Sequence, residues 1–507
     1  MAVPPIPQAR TAVAVRAVRV PLLLDVVLGL LVAVALPLAI VAIPNTISVV
    51  AALLPPDASQ VAMVRAHGLA LPVMLLAVPL AAVAVRRFRA APILVVGLTL
   101  LAAADAAGGY AGSTFVVGVL RVLHGIGAGL LLPATLVAAW ERPRRRFLLP
   151  VWAGMLAASL AGAQALALWP LAKATSWQVT LQPYPLLTGV ALALAAVYLV
   201  LWIVAGDGAD GSDAERPSAA ELRGDRGRLT RAAVLAAGIA ALAVGMTFDW
   251  PAVLAIAAAA VAVIAVLGLC VVTRFEEPGG RTLAFASVAV GLVVLPTAAQ
   301  ATYLEMGGVR GGPGLSGLWL PLTLAAVVTV ASAYAASTVG DKTAAKLVGG
   351  GLVAIVAALC AIRLLIPTSV GLVLVVPFSL LAGGAAVALV AALRTVRVGT
   401  ALFGLSLCFP ALLGGFLLGT GVQRLRIDGI RSSAAAQPTL VADAFLDALW
   451  MWALVGGFIV VGIIVMASWL GRREPGAARQ NAQVLIPSPT PSPEEMGAGS
   501  GETSSDR

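Results

Sequence analysis

Polar residues in this chain gather in short joints, and between the joints run fourteen apolar stretches of roughly 18–25 residues. Their approximate limits are 22–44, 61–85, 92–109, 115–139, 148–171, 185–205, 231–248, 251–273, 282–304, 316–339, 347–366, 369–393, 399–420 and 446–470. A helix rises 1.5 Å per residue, so about twenty apolar residues cross the ~30 Å hydrocarbon core of a bilayer. Barrel strands would be shorter and would alternate in polarity, and these stretches do not. The pattern predicts an all-α polytopic membrane protein with fourteen spans.

Composition agrees with that reading. Of 507 residues, 60% are hydrophobic and only 11% are charged, with a mean hydropathy of +1.01. A soluble domain of this size has about 25% charged residues and cannot hide so much apolar surface. The net charge of +10 belongs to topology, not to nucleic acid. With the amino terminus inside, 25 of the 33 Lys and Arg residues fall on inner segments. Five (Lys173, Arg310, Arg424, Arg426 and Arg431) fall outside, and Arg65, Arg121 and Arg363 lie within spans. Both termini are therefore expected in the cytoplasm. Cys270, Cys360 and Cys408 all sit in apolar spans and make neither a disulfide framework nor a metal set. Arg10, Arg16 and Arg19 precede the first span like a signal peptide's basic region, but the apolar stretch after them is too long, which predicts a retained helix. The preference for Arg over Lys and the abundance of Ala suit a GC-rich genome and predict the inner, plasma membrane of a bacterium.

The expected organisation is a cytoplasmic segment 1–21, a six-helix bundle 22–205, a polar cytoplasmic loop 206–230, two inserted helices 231–273, a second six-helix bundle 282–470 and a tail 471–507. The tail is rich in Pro, Ser, Gly and Glu and is expected to be disordered. The outer loop 421–443 is long and basic, against the charge rule, and together with the tail it is a candidate contact for a protein partner.

The most informative stretch is Arg121 to Pro133, RVLHGIGAGLLLP. Arg121, Gly125 and Gly129 recur every four residues on one helix face, so a neighbouring helix can approach the glycines closely. Gly127 lies between them, and His124 sits on the same side as Arg121. Arg121 lies about six residues, roughly 9 Å, below the outer end of its span. A charge there costs on the order of 2.5 kcal/mol or more unless it faces water or a counter-charge.

This stretch resembles the fourth-helix motif of the major facilitator superfamily, in particular its fourteen-helix drug:proton antiporter group. Other segments are similar in order and spacing. Ser176-Trp177-Gln178 resembles the group's Ser-Trp-Arg, and Tyr303-Leu304-Glu305 its Tyr-Leu-Gln. Gly314-Leu315 through Pro321 resembles the opening of its tenth span. Gly340-Asp341-Lys342 with Lys346 resembles the second copy of its inner-loop gate signature. The resemblance covers about 22–472 and implies two six-helix bundles rocking about a central cavity, with two helices inserted between them.

The departures bear on mechanism. Pro37 stands where the group carries an ionisable Asp in its first helix. In 82–91, AVAVRRFRAA, Arg86 replaces the Asp and Arg89 the Gly of the first inner-loop signature, so the usual cytoplasmic latch is expected to be absent. The fifth-helix signature Gly-Pro-x-x-Gly-Gly is missing from GAQALALWP, 162–170. Proton coupling needs a group that titrates within the membrane. The first half offers Asp25, Arg65, His67, Asp105, Arg121 and His124. Asp25, at an inner end, is expected to be solvated. Asp105 is expected to neutralise Arg121 or Arg65, with His124 as the remaining titratable neighbour. Three readings stay open for this group: a static ion pair that supports the fold, a proton relay, or contact with substrate. Gln164, Trp169, Gln300, Tyr303 and Glu305 are candidates to line a cavity or its mouth.

No Walker loop, His/Cys cluster or Ser/His/Asp set is present, so neither an enzyme nor a bound cofactor or metal is expected. The sequence predicts a secondary transporter that exports a hydrophobic or amphipathic small molecule such as a drug, coupled to protons in an atypical way if at all. The alternative is a transport-silent relative that serves as scaffold or accessory subunit of an envelope complex.

Overall fold

The computed structural model describes residues 8–206, 219–248, 250–275, 277, 279–306, 312–431 and 438–484. The side chains of 8–19, 219, 341–342, 429–431, 438–439 and 471–484 lie outside the described set. Every regular element among the described residues is helical. Lipid offers no hydrogen bonds, so each crossing segment satisfies its own backbone as a helix. Among the described residues, fourteen helices are long and apolar enough to cross a membrane: Val20–Val41, Gln60–Phe88, Ala90–Gly108, Thr114–Glu141, Arg145–Lys173, Trp177–Ala205, Ala220–Gly245, Ala252–Val272, Gly280–Met306, Gly314–Thr338, Thr343–Leu365, Gly371–Leu393, Val398–Asp428 and Leu440–Leu470. They are the first to fourteenth spans below. Inner and outer follow the Lys and Arg distribution.

Helices extend into several segments that read as soluble. The first begins at Gln8, inside the expected cytoplasmic segment. The seventh begins at Ala219, so 219–230 of the expected inner loop is helix, and 207–218 lies outside the described residues. Ala, Glu, Leu and Arg propagate a helix well enough here to outweigh Gly224 and Gly227. The thirteenth runs on to Arg431 and the last from Pro438 to Val484. The outer loop 421–443 is thus mostly helix, with 432–437 outside the described residues. The tail is helical to Val484, and 485–507 lies outside the description.

Spans one to six pack as one bundle and spans nine to fourteen as another. The two show the same internal contact. Gly127 of the fourth span would place a Cβ 2.8 Å from the Gly97 carbonyl of the third, and Gly384 of the twelfth one 2.6 Å from the Gly351 carbonyl of the eleventh. Any side chain at these crossings would push the backbones apart. The ninth and thirteenth spans are the most enclosed, while the sixth and tenth turn most of their apolar surface outward to lipid.

The halves meet along two seams. At one, the second span approaches the thirteenth, and the inserted seventh span packs on both. The eighth packs on the thirteenth and ninth. The inserted pair therefore lies over this seam instead of separating the halves. At the other seam the fifth span meets the tenth directly and also touches the ninth and twelfth. Gly154 allows this approach: a Cβ there would lie 3.1 Å from Val330 Cα and 3.4 Å from Ala333 Cβ. Trp169 and Trp319 stack at the outer end of this bare seam, with ring centres 5.3 Å apart.

Candidate functional site

The fourth-span motif does build a buried polar site near the outer face. Gly125 and Gly129 face the second span, where a Cβ would lie 2.5 Å from the Ala70 carbonyl and 2.4 Å from Ala77 Cβ. Gly127 faces the third span. The motif thus clamps the fourth helix between two neighbours, with Pro133 buried in its interior. The second span breaks at Gly68, and its outer piece Gln60–His67 leaves a free C-terminal carbonyl.

Arg121 occupies that break. Its Nε donates to the His67 carbonyl at 2.9 Å, and its Nη2 donates to the carbonyls of Ala42 at 2.5 Å and Pro44 at 3.5 Å. The guanidinium therefore caps the outer C-termini of two helices, where carbonyls are orphaned and the helix dipole favours a cation. Asp105 does not neutralise it by direct pairing, as the sequence suggested, because helix carbonyls hold the guanidinium in place.

Asp105 pairs with His124 instead. Its Oδ1 lies 2.9 Å from His124 Nε2, and its Oδ2 accepts from the Thr188 hydroxyl at 2.6 Å. His124 Nδ1 lies 2.9 Å from the Leu120 carbonyl, which can only accept, so Nδ1 carries a proton. The contact between Nε2 and the carboxyl group then contains one further proton, on either the ring or the acid. Asp105, His124 and Thr188 are all buried. His67 is fully buried beside this group, with the Thr180 backbone next to its ring. An apolar cap that includes Ile47, Met63, Trp177 and Leu181 lies beside this site at the outer end. The Ser-Trp-Gln segment supplies its Trp177, with Ser176 capping the short helix that carries it.

Arg65 stands apart from this group. Its Nε donates to the Thr247 carbonyl at 3.0 Å, and its guanidinium lies 4.9 Å from the Phe248 ring centre. It ties the second span to the seventh at the outer end of the covered seam.

At the inner end the same seam carries a charge network that the sequence reading missed. Arg86 Nη2 lies 3.5 Å from Asp225 Oδ2, and Arg228 Nη2 lies 2.5 Å from Asp225 Oδ1. The Asp225 carboxylate also rests against Gly399, the second residue of the thirteenth helix, where a Cβ would meet it at 2.1 Å. One turn earlier, Glu221 pairs with Arg397, whose backbone N–H donates to Glu277 Oε2 at 3.0 Å. The second span carries Arg where an acid was expected, and the seventh span supplies the acid. The signal was the pair Glu221 and Asp225, four residues apart on one helix face, hidden because 206–230 read as a loop.

Asp25 is not solvated. It is buried, with Arg142 Nε 2.6 Å from Oδ1 and Arg144 Nη1 3.7 Å from Oδ2, which joins the first span to the inner end of the fourth.

A cavity of about 600 Å³ opens at the inner end of the bare seam. Trp140, Arg146 and Phe147 line it from the first half, and Tyr334, Thr338 and Arg394 from the second. Phe147 and Tyr334 meet edge to face across it, with ring centres 6.1 Å apart. None of Gln164, Gln300 or Tyr303 lines this cavity. Gln164 is half-buried in the fifth span, and Tyr303 is exposed and packs beside Phe445. Gln300 is buried against Gly419 of the thirteenth span, and its Oε1 has no partner. Glu305, also buried, accepts from the Thr368 N–H at 3.1 Å. Of the expected second gate, Lys346 is exposed, and the side chains of Asp341 and Lys342 lie outside the described set. Among the described residues no three His, Cys, Asp or Glu side chains form a metal-binding group.

No protein-family model matches the sequence, and no curated protein matches it significantly. Solved structures do match in fold. One is the proton:xylose symporter XylE of the major facilitator superfamily, bound to 6-bromo-6-deoxy-D-glucose, with a TM-score of 0.50 and 13% identity over 86% of this chain and 94% of that one. The chain is a multi-pass α-helical membrane protein with the major facilitator superfamily fold.

Proposed function

We propose that this protein is a secondary transporter that exports hydrophobic or amphipathic small molecules across the plasma membrane of a bacterium. The observation that carries this reading is the cavity between the halves, lined by both of them and placed on the inner face, while an apolar cap lies at the outer face of the first half. A cavity shared by two bundles changes its access when they rock, and its volume suits a drug-sized ligand.

Coupling, in this reading, rests on Asp105 and His124. They meet within hydrogen-bond distance in a buried site, and they are joined to the second-span break through Arg121 and the fourth helix. This pair would serve in place of the first-helix carboxylate that Pro37 has displaced.

The test is flux in proteoliposomes under an imposed pH gradient, with a panel of amphipathic dyes as substrates. Gradient-dependent dye movement that fails in Asp105→Asn supports the reading. A gradient response unchanged in that variant removes the coupling role. Absence of any flux, with the protein copurifying from native membranes as part of a larger complex, favours the scaffold alternative.

A further inference from the structure

Four arginines crowd the turn between the fourth and fifth spans, and the structure separates them into two pairs. Arg142 and Arg144 are held by Asp25. Arg145 and Arg146 lie on the wall of the inner cavity, exposed and with no anionic partner among the described residues. A third cation, Arg394, reaches the same cavity from the other half and donates to the carbonyls of Ala336 and Val339. No described lining residue is acidic. The remaining walls carry the hydroxyls of Ser337 and Thr338 beside apolar and aromatic side chains, among them Trp140 and the edge-to-face pair Phe147 and Tyr334.

We propose that this cavity selects anionic amphipaths: molecules with a carboxylate, sulfonate or phosphate head and an apolar body. The inference rests on the transporter reading and names its substrate class. Basic residues at an inner membrane surface have a general explanation in topology, but topology does not require them to line a cavity shared by the two halves. A guanidinium presents a planar fork that matches an oxyanion in bidentate fashion, and two adjacent ones set a strong local preference for anions. Trp140, Phe147 and Tyr334 give the apolar body a flat surface that has no charge preference strong enough to reverse this. A cationic amphipath would meet the guanidinium groups of Arg145 and Arg146 and no described carboxylate.

The same head chemistry occurs in soluble organic anions and in anionic phospholipids of the inner leaflet, so the experiment separates the two. The full chain in neutral detergent is titrated with 11-(dansylamino)undecanoate and with the dansylated diamine of matching length. The expected result is at least about tenfold tighter binding of the anion, weakened by added salt as expected for screened charges. The double variant Arg145→Gln, Arg146→Gln should lose that preference, and Arg145→Lys, Arg146→Lys should keep most of it. Equal or tighter binding of the cation overturns the proposal, as does unchanged anion affinity in the Gln pair with elution and melting like the parent. In neutral-lipid nanodiscs, added phosphatidylglycerol that competes with the probe assigns the site to a lipid headgroup. Absence of competition assigns it to soluble anions. Binding in detergent needs no flux, so binding without transport contradicts only the transporter reading, and transport without selective binding contradicts only this one.

Discussion

The two seams between the halves are closed by different kinds of contact. The covered seam is fastened at both ends by polar links that run through the seventh span: Arg65 to Thr247 outside, and Arg86, Asp225, Glu221 and Arg397 inside. The bare seam is closed by apolar contact, with Trp169 on Trp319 outside and Gly154 against Val330 in the middle, and it opens into a cavity inside. Oriented charge pairs hold a fixed geometry, whereas small residues on flat apolar faces can part and close again at little cost. On the transporter reading proposed above, the hinge falls at the covered seam and the opening at the bare one.

The largest effect is expected where the bare seam has least room. Gly154→Leu places four carbons where a Cβ is already 3.1 Å from Val330 Cα, so it should wedge the fifth and tenth spans apart and reduce dye flux at least about tenfold. Gly154→Ala adds one carbon and should reduce it only mildly, and equal effects from the two would break the comparison. Next is the inner link of the covered seam. Asp225→Asn leaves Arg86 and Arg228 facing each other and removes a carboxylate from the start of the thirteenth helix, which should cost about 1–3 kcal/mol in detergent unfolding. The exchange Arg86→Asp with Asp225→Arg should recover part of that loss, and no recovery would mean that the pair does not act as a unit. Asp105→Asn should cost only about 1 kcal/mol, because its amide can still donate to His124 Nε2 and accept from Thr188 but carries no exchangeable acid proton or charge. It should also remove the dependence of flux on the pH gradient. The smallest effect is expected for Arg65→Gln, whose losses include a carbonyl contact and a partly exposed ring contact, about 0.5–1 kcal/mol by melting.

Much of the fold was legible in the sequence because lipid imposes one rule on every crossing segment. Apolar runs of membrane length marked fourteen spans, and the glycines of the fourth-span motif announced the close contacts that the structure contains. Helix ends were less legible. Hydropathy marks where lipid ends and not where a helix ends, so the inner extension of the seventh span passed as a loop. Asp225 was hidden with it, and a missing latch was expected where the second span carries Arg86. The partners of the buried charges were also out of reach. Asp105, Arg121 and Arg65 share a depth in their spans, but depth does not say which way a side chain turns. The His67 carbonyl at the helix break and the carbonyls of Ala42 and Pro44 after the first span took the guanidinium of Arg121, and His124 was left for the acid. The cavity was invisible for a related reason, since its lining comes from three stretches far apart in the chain, within 140–150, 334–340 and 390–396.

If the protein transports as proposed, its halves hinge at the covered seam and part at the bare one. Spin-label distance distributions in proteoliposomes test it directly, in a background with the exposed Cys360 replaced by Ser. One label pair, at Phe147 and Thr338, spans the inner end of the bare seam. The other, at Phe88 and Val398 at the start of the thirteenth helix, spans the inner end of the covered seam. Under a pH gradient with transported dye, the account predicts two populations across the bare seam and one unchanged population across the covered seam. A single unchanged distance across the bare seam, or a larger change across the covered one, would contradict it.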